Sequence, residues 1–155
     1  MKAVITGGGT GGHIYPALSV ADKLSENNWE IEYVGNANSL EADIIRDTDY
    51  SFNNIKVLPL PRSFNLQLFK SIFISFKAVI QSFRLIKKMK PDIVFGTGGY
   101  VTGPVLLGAY FNGVPTVIHE QNIYPGVTNK LLAFFVSKIA VNDIEAAQYF
   151  KKSVQ

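Results

Sequence analysis

Five glycines and a histidine lie together near the start of the chain, in the segment Gly7–His13 with the sequence GGGTGGH. Glycine tolerates positive φ angles and, without a Cβ, lets a ligand approach the backbone closely. Where such a turn joins a strand to a helix, unpaired N–H groups and the helix dipole attract anions. We therefore predict that this turn binds a diphosphate. The helix after it is expected to open at Tyr15, with Pro16 in its first turn.

Two further turns carry polar residues directly after strand-like apolar runs. One is the segment Gly96–Tyr100, with three glycines, and the other is His119–Asn122, with the sequence HEQN. Turns that follow the strands of a parallel sheet meet at its carboxyl edge, which is where ligands bind. We therefore expect the three turns to form one composite site.

The elements that must position these turns alternate along the chain. Short β-rich runs predict strands at 2–6, 31–35, 54–58, 92–96, 115–119 and 138–141. Periodic segments predict helices at 15–27, 39–46, 66–89, 103–111, 125–135 and 143–151. The alternation predicts an α/β fold, with a Rossmann-like parallel sheet and helices on both faces. We expect the 155 residues to form one such domain, 1–155.

The composition argues against several kinds of site. The chain has no cysteine, and its histidines at 13 and 119 are 106 positions apart, so we predict neither a metal site nor a cofactor. The segment Asp47–Asp49 has the spacing of some metal-dependent sugar transferases, but we interpret it as a solvated helix end. The first residues predict a strand rather than a signal peptide. Glycines and a proline interrupt the apolar run 93–111, so no membrane span is expected.

The glycine pattern leaves a dinucleotide-binding oxidoreductase as an alternative. The GxGxxG spacing over 7–12 matches the dinucleotide fingerprint, which also requires an acidic residue at the end of the second strand to bind the ribose. That strand ends in Val34-Gly35-Asn36, and Glu32 lies inside it. No Gly-Lys-Ser/Thr follows the glycines, so the usual lysine of kinases and NTPases is missing. Glycosyl transfer is therefore favoured over dehydrogenation.

Three segments together resemble the MurG family, the bacterial N-acetylglucosaminyltransferases of peptidoglycan assembly. They are 8–18 (GGTGGHIYPAL), 98–104 (GGYVTGP) and 119–130 (HEQNIYPGVTNK). The resemblance implies one half of a GT-B architecture, an amino-terminal acceptor-binding domain whose carboxyl-terminal donor domain is absent from this chain. It implies inverting transfer of GlcNAc from UDP-GlcNAc to the C4 hydroxyl of undecaprenyl-diphosphate-linked N-acetylmuramoyl-pentapeptide. It also implies a peripheral location at the cytoplasmic face of the bacterial plasma membrane.

Such a transfer needs a base near the accepting hydroxyl, and two residues compete for that role. His13 is the first candidate, because the positive end of a helix disfavours a charged ring and so leaves it able to accept a proton. The alternative for His13 is a capping or ligand-binding role without proton transfer. Glu120 is the second candidate, although its carboxylate could equally hydrogen-bond the sugar or hold a loop. His119, at the end of a buried strand, is expected to be structural.

The resemblance also implies binding residues on the three turns. Donor contacts are implied for Thr10, Gly11, Gly12 and Asn122. Acceptor and diphosphate contacts are implied for Gly98, Gly99, Tyr100 and Asn129. For Tyr100 the alternative is a packed aromatic side chain beside a turn.

The predicted helix 66–89 is both basic and apolar. All eight basic residues from Lys56 to Lys90 lie in a stretch without any acid, although the net charge of the chain is only +3. Phenylalanines leave the helix apolar on nearly every side apart from a narrow basic stripe. This pattern favours contact with an anionic membrane surface through Lys70, Phe73, Lys77 and Arg84. The alternative is a helix whose apolar remainder fills the core or meets a partner subunit.

Three functions follow from these observations. The leading hypothesis is the acceptor-binding half of a glycosyltransferase, active only with a donor domain in the same chain or in another. The second is a noncatalytic membrane-anchoring subunit, similar to one half of the split GlcNAc transferase of dolichol-linked glycan assembly. The third is the oxidoreductase. A nucleic-acid partner is not expected, because no recognised binding motif accompanies the basic residues.

Overall fold

Six strands and five α-helices alternate along the chain in the computed structural model, which describes residues 1–59, 61 and 66–150. The strands are β1 (Lys2–Thr6), β2 (Glu30–Gly35), β3 (Ser51–Asn54), β4 (Ile93–Gly96), β5 (Thr116–Glu120) and β6 (Lys138–Val141). The helices are α1 (Gly11–Ser25), α2 (Leu40–Arg46), α3 (Leu66–Met89), α4 (Thr102–Phe111) and α5 (Val127–Leu132). A 3₁₀ helix at Ile144–Tyr149 follows β6.

The strands form one parallel sheet in the order β3-β2-β1-β4-β5-β6. Strand β1 pairs with β2 on one side and with β4 on the other, so the winding of the chain reverses there. At such a switch point the turns diverge and leave a crevice at the carboxyl ends of the strands. Because β1, β4 and β5 are neighbours, the three polar turns lie at one edge, as predicted.

Helices cover both faces of the sheet, as the residues of β1 illustrate. Ala3 and Ile5 pack in a core that includes Ala17 of α1, whereas Val4 between them packs in a second core that includes Ala78 of α3. Successive side chains of a strand point to opposite faces, so both faces of β1 are buried. The predicted Rossmann-like α/β fold is confirmed.

Some predicted bounds are confirmed and others are wrong. Strands β1 and β6 and helix α3 have the predicted bounds. Helix α1 begins at Gly11, four residues before the predicted start, so Pro16 is its sixth residue and not part of its first turn. This difference matters for the site, because Gly11, Gly12 and His13 belong to the helix.

Three other elements differ from their predicted bounds by more than one residue. Strand β3 spans Ser51–Asn54 rather than the predicted 54–58, and Ile55 and Val57 are buried after its end. Helix α5 is shorter than the predicted 125–135. The segment predicted as a helix over 143–151 forms the 3₁₀ helix, and Lys151 lies outside the described residues.

Candidate active site

Two glycine turns touch at the ends of β1 and β4. The Gly8 N–H donates to the Gly98 carbonyl at 3.3 Å, and the Thr97 N–H donates to the Thr6 carbonyl at 3.0 Å. Gly99 has a φ angle of +86°, and a Cβ at this residue would collide with the Gly8 carbonyl oxygen. Only glycine therefore allows the two backbones to approach this closely.

The predicted donor-binding residues of the first turn lie at the amino terminus of α1. Thr10 is the N-cap residue with extended backbone angles (φ −149°, ψ 154°), and its side chain makes no capping hydrogen bond. Gly11 and Gly12 follow, and their N–H groups have no partner within the helix. Thr10 and Gly12 are exposed, and Gly11 is half-buried. The turn therefore presents a hydroxyl and backbone donors to the crevice.

A buried carboxylate to which the sequence did not point lies beneath the first turn. Glu41 of α2 is fully buried, and its carboxylate accepts hydrogen bonds from the N–H of Gly9 at 3.1 Å and of Asn36 at 3.3 Å. The Gly9 N–H, expected to meet a diphosphate, is thus committed to an internal anion. The available signal was an acidic residue in the first turn of the helix after β2, five positions beyond Asn36.

Two tyrosines pack around the same turn. The Tyr33 hydroxyl donates to the Gly7 carbonyl at 2.6 Å, and burial together with the charge of Glu41 raises the pKa of Tyr33 well above its usual range. The Tyr100 ring lies against Gly9, where a Cβ would be 3.0 Å from Tyr100 Cε1. Burial and the charge of Glu41 also raise the pKa of Tyr100, against a hydrogen bond to Asn36. Both phenols are therefore neutral near pH 7.

The His13 side chain lies where the first, second and third turns meet. Its Nδ1 is 3.0 Å from the Thr97 carbonyl oxygen and 2.7 Å from Nε2 of Gln121. Its backbone carbonyl accepts a hydrogen bond of 2.6 Å from the Thr97 hydroxyl. The ring is half-buried, with contacts to both the β4 turn and the β5 turn.

The carboxylate of Glu120 organises the turn after β5. Glu120 is fully buried, and four N–H groups donate to its two carboxylate oxygens. Oε1 accepts from the backbone and side-chain N–H groups of Asn122 at 3.0 and 2.9 Å. Oε2 accepts from the Gly126 N–H at 3.1 Å and from Asn129 Nδ2 at 2.9 Å. Four donors occupy about as many lone-pair positions as an ionised carboxylate offers.

Asn129 links the β5 turn to the second glycine turn. Its side chain is 1% exposed, and its Nδ2 also donates to the His119 carbonyl at 3.2 Å. A Cβ on Gly98 would lie 3.3 Å from Asn129 Nδ2 and 3.0 Å from His13 Nδ1. Of the predicted acceptor residues, Gly98 and Asn129 are thus brought together beside His13. Tyr100 lies instead beside Gly9 and Asn36.

His119 is partly buried at the end of β5. Its ring stacks on Phe95 with 6.4 Å between the ring centroids. Burial lowers the pKa of His119, and the nearby charge of Glu120 acts in the opposite direction. Within the described residues, the buried Nδ1 atom has no hydrogen-bond partner.

Helix α3 carries an exposed apolar face away from the three turns. The largest exposed side chains of this face are Phe69, Ile72, Phe73 and Phe76, each more than half exposed. Lys70, Lys77 and Arg84, predicted to contact a membrane, are exposed as well, and Lys77 Nζ lies 4.5 Å from the centroid of the Phe73 ring. Among the described helices, none combines the length and apolar character that a membrane span requires.

Residues 3–141 match the glycosyltransferase family 28 N-terminal domain. The chain belongs to this family. The match runs from the second residue of β1 to the end of β6, and it therefore includes all three turns of the site.

Curated relatives carry a more specific name. The chain is 48% identical over 155 residues to the UDP-N-acetylglucosamine--N-acetylmuramyl-(pentapeptide) pyrophosphoryl-undecaprenol N-acetylglucosamine transferase of Halothermothrix orenii. This alignment covers 100% of the chain and 42% of that protein. The identically named protein of Pediococcus pentosaceus is 47% identical over 152 residues, 97% of the chain and 42% of that protein. The chain thus spans less than half the length of these relatives.

Solved structures place the fold in the same group. The crystal structure of Acinetobacter baumannii MurG superposes with a TM-score of 0.86 at 28% identity, over 99% of this chain and 44% of that one. A Staphylococcus aureus MnaA-UDP structure has a TM-score of 0.69 at 19% identity, over 96% of this chain and 39% of that one, and shows the fold alone. The family 28 domain therefore has the fold of one half of a GT-B glycosyltransferase, as predicted.

Proposed function

We propose that this chain is the acceptor-binding half of an inverting N-acetylglucosaminyltransferase of peptidoglycan synthesis. The donor would be UDP-GlcNAc, and the acceptor the C4 hydroxyl of undecaprenyl-diphosphate-linked N-acetylmuramoyl-pentapeptide. The names of relatives at 47 and 48% identity support this substrate pair. A donor-binding domain, in the same chain or in another, would complete the crevice.

The observation that carries the proposal is the position of His13 at the junction of the three turns. In the tautomer with a proton on Nδ1, the ring donates to the Thr97 carbonyl, which can only accept, and Nε2 is left as the acceptor. In the proposed step, Nε2 takes the proton of the acceptor C4 hydroxyl while that oxygen attacks C1 of GlcNAc. The bond from C1 to the UDP oxygen breaks, UDP leaves with the electron pair, and the anomeric centre inverts.

Glu120 is proposed as a positioning residue rather than the base. Its carboxylate is fully buried and already accepts four hydrogen bonds, so no lone pair is left for a substrate proton. This network instead fixes Asn122 and Asn129 relative to the strand. Of the two competing assignments for the base, the geometry favours His13.

The binding roles follow from where the side chains lie. Thr10, Gly11, Gly12 and Asn122 are proposed to contact the donor, since each is at least partly exposed at the rim of the crevice. Gly98, Gly99 and Asn129 are proposed to shape the acceptor pocket beside His13, and Tyr100 to border the first turn from the side of Gly9. The phosphate groups would meet the remaining N–H groups of α1, because the Gly9 N–H is taken by Glu41.

The proposed separation of acceptor binding from donor binding is testable with this chain alone. We expect a soluble diphosphate-linked muramoyl acceptor analogue to raise its melting temperature without UDP-GlcNAc, and transfer by the isolated chain to be negligible. Robust transfer by the isolated chain would contradict the proposal. Stabilisation by NAD(P) but not by the acceptor analogue would favour an oxidoreductase, and co-purification with a separate donor-domain protein would favour a split transferase.

The role of His13 requires a transferase that contains both halves. We expect His13→Gln to lower kcat by about two to four orders of magnitude, with a much smaller effect on KM, since base catalysis contributes that much. Ser19→Ala, an exposed position on the same helix, is the matched control and should leave both constants unchanged. Unaltered kcat in the His13→Gln enzyme would exclude this residue as the base.

We also propose that α3 holds the domain on an anionic membrane surface, which would be the cytoplasmic face of the plasma membrane. Its exposed phenylalanines recur at 69, 73 and 76, with Lys70 and Lys77 beside them. Apolar side chains would enter the headgroup region while each basic side chain contributes about 1 kcal/mol. No acid in the stretch 56–90 opposes that attraction.

Vesicle co-sedimentation tests this membrane proposal. Binding to vesicles with one third phosphatidylglycerol should fall about fivefold for Lys77→Ala and more for Phe73→Ser with Phe76→Ser, and should weaken with salt. Lys23→Ala, on α1 and also exposed, is the control for a lost positive charge. Equal binding by all variants would overturn the assignment to α3.

A further inference from the structure

Helix α1 contains an internal carbonyl without a helical donor. Pro16 is the sixth residue of α1, and proline has no N–H. In an α-helix that N–H would donate to the carbonyl four residues earlier, which is that of Gly12. The Gly12 carbonyl therefore needs a donor from outside the helix.

Gln121, the residue after β5, supplies this donor. Its Nε2 lies 2.8 Å from the Gly12 carbonyl oxygen, across 109 positions of sequence. The same nitrogen is 2.7 Å from Nδ1 of His13. A carboxamide nitrogen carries two hydrogens, so Gln121 can donate to both atoms at once when Nδ1 carries no proton.

The orientation of this carboxamide follows from its partners. A flipped amide would place Oε1 against the Gly12 carbonyl oxygen, and two acceptors would then face each other. As oriented, Oε1 has no partner among the described residues, so the donors alone determine how the group lies. The neighbouring Glu120 network fixes the backbone from which Gln121 extends.

The contacts give His13 Nδ1 a partner in either neutral tautomer. With a proton on Nδ1, the ring donates to the Thr97 carbonyl. Without it, Nδ1 accepts from Gln121, and the proton lies on Nε2. Thr97 is thus the partner in the tautomer whose Nε2 is free to accept a proton, and Gln121 is the partner in the other neutral tautomer.

We propose that Gln121 is a positioning residue for His13, and that Pro16 creates the carbonyl on which Gln121 docks. The proposal rests on the proposed role of His13 as the base. Under this proposal, the missing N–H of Pro16 and the side chain of Gln121 each have a function in the site. The proposal also predicts that residues 16 and 121 are energetically coupled although they are far apart in sequence.

The tautomer of His13 is the direct readout, since the chain has only two histidines. In long-range ¹H–¹⁵N spectra near pH 8, we expect His13 of the unmodified chain to populate both tautomers. Gln121→Leu should shift it to the form with a proton on Nδ1, because only the Thr97 carbonyl remains as a partner. The His119→Asn variant assigns the signals, and identical His13 nitrogen shifts in the unmodified and Gln121→Leu chains would overturn the proposal.

Gln81→Leu is the matched control. Gln81 Nε2 donates to the Asn54 carbonyl at 3.0 Å, which is a comparable bond from a side chain to the backbone. Its Oε1 accepts from the Lys56 N–H, so these hydrogen bonds are to the segment 54–56 rather than to His13. Loss of these bonds should raise the unfolding equilibrium constant without changing the His13 tautomer. An equal tautomer shift in Gln81→Leu would show that general destabilisation explains the effect of Gln121→Leu, and it would overturn the proposal.

A double-mutant cycle tests the part played by Pro16. Gln121→Leu should raise the unfolding equilibrium constant about fivefold to tenfold when Pro16 is present, as expected for one lost hydrogen bond. In the Pro16→Ala background the helix supplies its own N–H to Gly12, and the same substitution should change the constant less than twofold. Equal effects in both backgrounds would contradict the docking role of Pro16.

The outcomes separate this proposal from the proposed function. In a transferase with both halves, Gln121→Leu should lower kcat about tenfold with little change in KM, and Gln121→Glu should not restore it. The lost orientation of the His13 ring should outweigh the gain in the tautomer whose Nε2 is free to accept a proton. If His13→Gln leaves kcat unchanged while Gln121→Leu still shifts the tautomer, the base assignment fails and the positioning stands. If His13→Gln abolishes transfer while Gln121→Leu changes neither tautomer nor kcat, the positioning proposal fails alone.

Discussion

Two fully buried carboxylates flank the site, Glu41 beneath the first glycine turn and Glu120 beneath the turn after β5. Glu120 takes its four hydrogen bonds from residues at most nine positions away. Glu41 takes two, one of them from Gly9, which is 32 positions away. Glu120 therefore shapes its own loop, whereas Glu41 joins α2 to a turn formed much earlier in the chain.

The different hydrogen-bond partners show how each buried carboxylate contributes to the site. A buried carboxylate is tolerated only when hydrogen bonds replace the water that it loses, and Glu120 has twice as many as Glu41. The Glu120 loop is thus rigid by itself, while the first turn depends on packing between two separate segments. Substitutions on either side should expose this contrast.

The largest effect is expected for Glu120→Ala. The change leaves four donors around Glu120 without their acceptor, and we expect the free energy of unfolding to fall by about 4 kcal/mol. Urea unfolding monitored by circular dichroism measures the loss. A loss below about 1 kcal/mol would show that water replaces the carboxylate and would remove the distinction from Glu41.

A smaller effect is expected for Glu41→Ala, about 2 to 3 kcal/mol, since two donors lose their acceptor. Glu41→Ala and Glu120→Ala should also affect different parts of the chain. Relative to the globally protected amides, hydrogen exchange in Glu41→Ala should accelerate at Gly9 and Asn36, which belong to different segments, whereas for Glu120→Ala the additional acceleration should lie within 120–129. Unchanged exchange at Gly9 would contradict the cross-linking role of Glu41.

Paired glycine substitutions compare the space beside each carboxylate. A Cβ on Gly8 would lie 2.6 Å from Glu41 Oε1, so we expect Gly8→Ala to destabilise the fold by about 2 kcal/mol. Gly126→Ala keeps the N–H that donates to Glu120, and its Cβ would have no heavy atom within 4 Å. The free energy of unfolding of the Gly126 variant should lie within about 0.5 kcal/mol of that of the unmodified chain. Similar losses in the Gly8 and Gly126 variants would mean that crowding does not distinguish the surroundings of Glu41 from those of Glu120.

The smallest effect is the pH dependence contributed by His119, which adjoins Glu120. Burial lowers its pKa in the folded chain, so the unfolded chain binds more protons as the pH falls through the ordinary histidine range. This residue therefore contributes a decrease in stability from pH 7 to pH 5. His119→Asn should flatten that slope relative to the unmodified chain in urea titrations, and an unchanged slope would assign it to other groups.

Sequence patterns predicted the architecture better than they predicted the contacts. The alternation of apolar runs and periodic segments was sufficient for the sheet, and α3 has its predicted bounds. The start of α1 was missed because glycine is a poor helix former, so Gly11 and Gly12 resembled a continued turn. Strand β3 lies earlier than predicted because the apolar residues Ile55 and Val57, which suggested a strand, are buried in the core after its end.

The chemistry of the site was predicted only in part. Motifs placed His13 and the HEQN segment at one edge, because the topology of a parallel sheet determines where turns meet. Sequence motifs do not indicate Glu41, because the dinucleotide fingerprint requires an acid at the tip of β2 and Glu41 lies in the following helix. The contact between Gln121 and His13 depends on the relative placement of β1 and β5, which are separated by β4 in the sheet. The spacing of residues along the sequence does not indicate this placement.

The strand order also constrains when the site can exist during synthesis. Strand β1 carries the turn with His13, but its neighbour β4 begins only at Ile93, and β5 begins only at Thr116. A nascent chain that has emerged only as far as α3 therefore holds His13 without the carbonyl of Thr97 or the amide of Gln121. The three turns can meet only after the β5 turn has joined the sheet, so premature termination before residue 121 would yield a chain with the glycine turn but without the contacts of Gln121.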